Sequence, residues 1–386
     1  MQELCSQVRK TEITTKSQSN VILLTLEKWF EDHENAKLQR QCLQALYFPR
    51  LDSRENDVKD AHTKTFGWIL EDSQPGSSLS QQSNFKQWLQ SQDQAANVFW
   101  VSGKPGSGKS TLMKYLKDQP RLCEHLGTWL GDSTLIIVEC FFWRHGDRVQ
   151  RSIDGLLRSL LYHILKKCPK LVPTAFPNPE WLLGGSSYQF SRKALVDAFN
   201  RIINTLSDER LRLFIMIDGL DEFDDKEEHG STSYDQHHLV DLLSMFCGKD
   251  LIKLCVSSRP LPIFEQEFGQ DPARRICVQN LTANDIRIYV KEELENNPAF
   301  QKLVENDRSY AVLIDEIVDA AHGVFLWVHL AVRSLLRGIT NEDGISSLRA
   351  RLRLLPPELN DLFKHILNSI DPTYRKTSAL MLLAHR

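Results

Sequence analysis

The run Gly103, Lys104, Pro105, Gly106, Ser107, Gly108, Lys109, Ser110, Thr111 constrains the fold more than any other stretch of the chain. It fits G-x-x-x-x-G-K-[ST], with the two fixed glycines at Gly103 and Gly108. The apolar segment VFWV stands directly before it and the amphipathic STLMKYLKDQ directly after it, which is the order strand, loop, helix. At background residue frequencies a chance match somewhere in the chain has a probability of about one or two per cent, and this flanking order lowers it further.

The chemistry behind the spacing is that of a phosphate cradle. Triphosphate oxygens need several donors converging from one side, and glycines clear the way for backbone N–H groups to close in. A helix starting near Lys109 adds its positive dipole end and free N–H groups. Lys109 supplies a point charge to the β and γ phosphates, and the Ser110 hydroxyl is a Mg²⁺ ligand. All nine residues from Gly103 to Thr111 are expected to bind the nucleotide.

Two further segments point the same way. In RLRLFIMIDGLDEFDD an apolar strand ends in Asp218, with Asp221 and Glu222 a few residues on. An acid at the tip of a parallel strand next to the phosphate-loop strand is where Mg²⁺ and its waters sit, so Asp218 joins Ser110 as an expected metal residue, acting through water. Asp221 or Glu222 would polarise the attacking water, Glu222 being the preferred one. The alternative is a solvated acidic loop, since Asp224, Asp225, Glu227 and Glu228 extend the charge. In LCVSSRP, Arg259 follows another short strand, where it would sense the γ-phosphate or stabilise charge developing in hydrolysis, a surface arginine being the competing reading.

Strands are expected at 98–101, 135–142, 211–217, 252–257 and 276–278, with helices at 109–118, 149–166, 192–206 and 237–246 between them. This alternation predicts an α/β P-loop fold, a parallel sheet with helices on both faces, over residues 84–280. Residues 1–60 form a helical N-terminal region, with Ile22, Leu23, Leu26, Trp29 and Phe30 at helical spacing, and 61–83 a linker segment whose end, SQPGSSLSQQS at 73–83, is a loop by composition. After Leu281 helical periodicity takes over, giving a helical domain at 281–340. Its first helix, TANDIRIYVKEEL, has Thr282 as N-cap and Asp285 at the capping-box position, and further helices are expected near 309–321, 324–337 and 357–370. Residues 341–386 read as the truncated start of a further helical domain, with a winged helix as one option.

Composition narrows the partners. With 41% hydrophobic and 25% charged residues and a formal net charge of -3, nothing in the whole-chain balance draws the protein to nucleic acid or an anionic membrane. The longest apolar run, 135–143, is far short of the roughly 20 residues of a membrane span. The polar N-terminus is not a signal peptide, so a cytoplasmic location is expected. The eight cysteines form no C-x-x-C pair and read as reduced, mostly buried small hydrophobes, Cys140 and Cys255 above all.

Together, GKPGSGKST, IDGLDEF with its small Gly219 and acidic pair, and SSRP resemble the NACHT class of signal-transducing (STAND) P-loop ATPases, in the AAA-like branch. The resemblance covers about residues 55–340, and AHTKTFGWIL and HGVFLWVHLAV are similar to the fungal nephrocystin 3-like or NACHT proteins. It implies ATP in preference to GTP, a slow ATPase, protein partners and nucleotide-dependent self-association. It also implies that His62 to Trp68 lie near the adenine, core burial being the alternative for Trp68. Gly323, Val324 and Phe325 stand where related switches carry G-x-P, so no proline takes that role here. Only about 60 residues precede the resembling core and the chain stops at SALMLLAHR, which raises the expectation of a truncated member or an incomplete gene model. A P-loop small-molecule kinase and a nucleic-acid-dependent AAA-like motor are the alternatives, the former disfavoured because Arg144, Arg148, Arg151 and Arg158 are scattered and read as the polar face of a helix start.

Overall fold

The computed structural model describes residues 33, 36–71, 80–93, 97–178, 188, 190–225, 236–247, 250–306 and 309–368. The expected helix around Leu26 and Trp29, Glu227 and Glu228 of the acidic loop, and the end of the chain after 368 lie outside these residues. By internal contacts the chain divides into two compact units, residues 1–49 with 157–206, and residues 50–156 with 207–386.

The second unit contains a five-stranded parallel sheet: β1 Val98–Ser102, β2 Thr134–Phe141, β3 Leu211–Asp218, β4 Ile252–Ser258 and β5 Arg275–Cys277, in the spatial order β2-β3-β4-β1-β5. All five expected strands form, with bounds shifted by one residue at most. The sheet is parallel throughout, as pairs such as Val101↔Ser257 and Ile215↔Leu254 fix the register. Near-continuous burial along β3 and β4 explains why both read as apolar runs without alternation.

Helices cover both faces. On one, α1 Ser80–Gln90, α2 Lys109–Lys117 and α3 Pro120–Leu130 bury Phe85, Trp88, Leu112, Leu116, Leu126 and Trp129 with Phe99, Val101, Phe214, Met216 and Cys255 of the sheet. By strand alternation Trp100, Ile215, Leu254 and Val256 face the other side, where α6 Gln236–Cys247 packs on β4 and α7 Pro262–Phe268 on β1. Two corrections arise here. Residues 80–83, expected in a loop, begin α1; a run of Ser and Gln is compatible with helix once Phe85, Trp88 and Leu89 are buried. The helix α3 was not expected, although Pro120 at its first turn and Leu122, Leu126 and Trp129 at helical spacing specify it.

Between β2 and β3 run α4 Ile153–Lys167 and α5 Arg192–Thr205. Within the first unit, Arg158 of α4 donates to the carbonyls of Ala45, Leu46 and Tyr47 at 2.7–3.3 Å, ending the helix at 36–46, and its guanidinium lies 5.4 Å from the ring centre of Phe48. α5 is capped by the Ser191 hydroxyl, and Arg201 donates to Ala175 O at 3.1 Å.

The second unit continues after the sheet with α8 Ala283–Glu295, α9 Pro298–Asn306, α10 Ser309–Ala321, α11 Phe325–Thr340, α12 Ile345–Leu354 and α13 Leu359–Asn368. They share one core built on Ile286, Leu313, Ile317, Trp327, Leu335 and Leu348. The expected capping box of α8 does not form: Thr282 makes no side-chain cap, and its hydroxyl donates to Gly323 O at 3.4 Å. Among the described residues no helix is long and apolar enough to cross a membrane. Cys42, Cys140, Cys168 and Cys255 are buried and Cys123 is exposed, in line with a set that is mostly buried.

Candidate functional site

The phosphate loop leaves β1 at Ser102 and turns back into α2 through two left-handed glycines, Gly106 at φ +70° and Gly108 at φ +98°. At Gly108 a Cβ would also meet the ring of Phe66 at 3.3 Å. The loop is braced from outside: Gly103 N–H donates to Ser258 O at 3.3 Å, and Lys104 N–H to Gln279 Oε1 at 3.1 Å. The Lys109 ammonium folds back on the carbonyls of Gly103 and Lys104 at 2.7 and 3.0 Å, the lining a charged ligand would displace. Burial lowers its pKa while Asp221 and Asp218 pull it up.

Asp218 ends β3, but β3 is not the neighbour of β1 as the sequence suggested; β4 lies between them. The carboxylate reaches across that strand, accepting a hydrogen bond from the Ser257 hydroxyl of β4 and another from Ser110 of α2. Gly219 N–H donates to Ser257 Oγ at 3.2 Å, so this serine organises the strand tip. Burial raises the Asp218 pKa against these two hydrogen bonds and the charge of Lys109. Beyond it, Asp221 accepts from the Arg259 backbone N–H at 2.9 Å and from Arg259 Nε at 2.9 Å. Glu222 accepts from the Arg144 backbone N–H at 3.0 Å.

These groups open onto one cleft of about 450 Å³. Its floor is Pro105, Gly106, Gly108, Lys109, Ser110 and Thr111; its acidic wall is Asp218, Asp221 and Glu222, with Arg259 beside them. Gly103, Lys104 and Ser107 do not line it; the buried Ser107 hydroxyl has no hydrogen-bond partner among the described residues. Asp224 and Asp225 do not belong to a solvated loop: they pair with Arg151 at 3.1 Å and Arg148 at 3.6 Å.

Two further walls complete the cleft. One comes from the helices after the sheet: Tyr289 of α8 and Phe325, Leu326 and His329 of α11. The Tyr289 hydroxyl and His329 Nδ1 are hydrogen-bonded at 2.9 Å. The other comes from the segment ahead of α1, with Arg54, Lys59, Asp60, His62, Thr65 and Phe66. Trp68 does not line the cleft; its indole N–H donates to Asp285 at 2.8 Å. The same carboxylate oxygen accepts from the Phe66 N–H at 3.1 Å, holding that residue in a left-handed conformation, φ +65°, that a non-glycine adopts at a cost of about 1–2 kcal/mol. Gly323 is also absent from the cleft: it lies against the Gln279 backbone, where a Cβ would come within 2.0 Å of the carbonyl oxygen. Its small size serves the contact between the turn ahead of α11 and the short helix Val278–Leu281 after β5.

Residues 74–259 match the family described as nephrocystin 3, N-terminal. No curated protein matches the chain. Among solved structures, the Aeropyrum pernix ORC2 protein in its ADP form is similar at 10% identity and TM-score 0.35, covering 74% of this chain and 72% of that one. Its ADPNP-ADP complexes are similar at 11% and TM-score 0.37, covering 74% and 71%.

Proposed function

From the premise that residues 74–259 belong to the nephrocystin 3 N-terminal family and carry a P-loop NTPase fold, we propose that the chain is a nucleotide-controlled switch of the NACHT (STAND) kind. It binds ATP with Mg²⁺, hydrolyses it slowly, and couples the state of the nucleotide to the position of the helices after the sheet and to self-association. The observation that carries this reading is that α11 contributes to the nucleotide cleft itself: Leu326 N–H donates to Gly106 O at 3.1 Å, and Phe325, Leu326 and His329 line the cleft. A ligand filling the cleft therefore touches two parts of the chain at once, and its binding energy biases their arrangement.

The residues present suit the ligand. Left-handed glycines form a cradle that side chains would fill, and among the described residues Lys109 has only carbonyls as hydrogen-bond partners. Among the described residues no group of three or more His, Cys, Asp or Glu side chains makes a metal site alone. That suits Mg²⁺, which takes one or two protein ligands and completes its shell with phosphate oxygens and water. Ser110 and Asp218 would hold it; when bound it neutralises charge on the β and γ phosphates. Glu222, held by the Arg144 N–H, is the group proposed to orient the attacking water, with Asp221 as the alternative, and Arg259 is proposed to sense the γ-phosphate.

Steady-state turnover with and without DNA, RNA or a phosphoryl acceptor tests the class. Tight binding with slow hydrolysis that none of these stimulates supports a switch, stimulation by nucleic acid would make it a motor, and consumption of an acceptor a kinase. Light scattering in ADP and in ATP tests the coupling, an unchanged size in both counting against it.

A further inference from the structure

We propose that Arg54, which lies outside every recognised motif and ahead of the family-matched segment, is a γ-phosphate ligand that distinguishes ATP from ADP; this rests on the nucleotide reading of the cleft. Arg54 lines the cleft together with Lys109, Asp218 and Glu222. Its terminal nitrogen is 4.0 Å from Glu222 Oε1, at the outer limit of an ion pair, and its Nε is buried with no hydrogen-bond partner among the described residues. Of the other cations that line the cleft, Lys109 holds two carbonyls, Arg259 gives its Nε to Asp221, and Lys59 has no planar fork. Arg54 thus brings into the cleft a planar fork with donors to spare, and an oxyanion is the group that such a fork matches best.

Its placement is built into the fold. The segment bearing Arg54 is fastened to α2, the same helix whose first residue is Lys109. Lys114 donates to Val58 O at 2.7 Å and pairs with Asp60 at 2.8 Å; Lys117 pairs with Glu55 at 2.5 Å and with the buried Glu139 at 2.7 Å. Lys114 and Lys117 are three residues apart and so share one face of the helix. They hold Glu55, Val58 and Asp60, which follow Arg54 in the chain, while Gln150 Nε2 donates to Arg50 O at 2.9 Å and Ser53 Oγ at 3.0 Å just before it, and the guanidinium so placed points toward Glu222. On ATP binding the guanidinium exchanges its loose pairing with Glu222 for the γ-phosphate, which leaves Glu222 to the attacking water. ADP offers no such partner and leaves Arg54 on Glu222.

The test is equilibrium binding of ADP and of a non-hydrolysable ATP analogue, both with Mg²⁺, to the wild type, Arg54→Gln, Arg54→Lys and Lys109→Ala, each checked by thermal denaturation. Arg54→Gln should lose about tenfold or more in affinity for the ATP analogue and less than about threefold for ADP, the size of one charge-assisted contact. Equal losses for both nucleotides, or loss of hydrolysis with binding intact, would mean that Arg54 acts only on the fold or on Glu222, and the proposal falls. Should Arg54→Gln fail to fold, Arg54→Lys keeps the charge without the fork; a reduced preference for the ATP analogue supports the proposal and a wild-type preference overturns it. Lys109→Ala separates the two levels. Loss of both nucleotides there with an unchanged ratio in the Arg54 variants rejects this proposal alone, whereas unchanged binding in Lys109→Ala rejects the nucleotide reading and the proposal with it.

Discussion

Leu326 donates its backbone N–H to the carbonyl of Gly106 at 3.1 Å, joining the first turn of α11 to the middle of the phosphate loop. A Cβ at Gly106 would come within 2.9 Å of Leu326 Cβ, so this junction has no room for a side chain. The loop and the helices after the sheet therefore cannot shift independently at this point. Gly106→Ala should lower nucleotide affinity about tenfold or more, because a left-handed alanine costs about 1–2 kcal/mol before the clash is counted. Titration calorimetry with ADP reads this directly, and wild-type affinity would show that the junction yields freely.

Gly323 and Gly127 make a contrasting pair. Gly323 has φ +75° and its missing Cβ would stand 2.0 Å from Gln279 O, whereas Gly127 sits within α3 with nothing inside 4 Å. Gly323→Ala is expected to destabilise the protein by about 2 kcal/mol or more, with proteolysis starting in the helices after the sheet. Gly127→Ala should stabilise it by about 0.5–1 kcal/mol, the ordinary gain of alanine over glycine within a helix. Denaturant unfolding of both variants decides; shifts of the same sign would contradict the packing described for Gly323.

Asp285 is nearly inaccessible and serves two donors far away in sequence, the Phe66 N–H and the Trp68 indole. Asp285→Ala strands the buried Phe66 N–H, at about 1–3 kcal/mol for a donor without an acceptor, and frees Phe66 from its left-handed conformation. The melting temperature and the nucleotide affinity should both fall, since the Phe66 ring lines the cleft and packs on Gly108. Asp285→Asn keeps an acceptor oxygen and should lose less of each. A variant with lower stability and unchanged affinity would detach Phe66 from binding.

Which parts were legible from sequence follows from the range of the interactions. The five strands are short, continuously apolar and bounded by polar turns, so pattern alone located them to within a residue. The phosphate loop was legible because its chemistry is local, nine consecutive residues before a helix. Asp285 was misread for the opposite reason: a carboxylate three residues after a threonine at a helix start looks like a capping box, and nothing nearby reveals that Phe66 and Trp68 claim it. Arg54 lines the cleft from a segment that carries no motif, and only the folded chain brings it to Lys109. The strand order explains the remaining error. Adjacency of β3 to β1 was assumed, and the intervening β4 makes Ser257 the link between Asp218 and its surroundings.

Away from the cleft, Lys253 of β4 gives a prediction about pH. It is buried between aromatic rings, its ammonium 4.8 Å from the Trp88 ring centre and 5.4 Å from that of Trp129, and it donates to Trp88 O at 2.5 Å. Burial, helped by the nearby Arg212, brings its pKa down to about 8 from an ordinary 10.5. The folded state thus releases this proton at lower pH than the unfolded chain does. Below about pH 8 both states hold the proton and the fold bears the full cost of a buried charge; between about 8 and 10.5 only the unfolded chain keeps it, so stability rises with pH. Lys253→Met retains the apolar stem and removes the titration. The stability difference between wild type and Lys253→Met should therefore move in favour of the wild type from pH 7.5 to about pH 10, measured by denaturant unfolding at constant ionic strength. Parallel pH profiles for the two proteins would mean that the ring faces of Trp88 and Trp129 and the Trp88 carbonyl compensate the ammonium fully, leaving its pKa where water sets it.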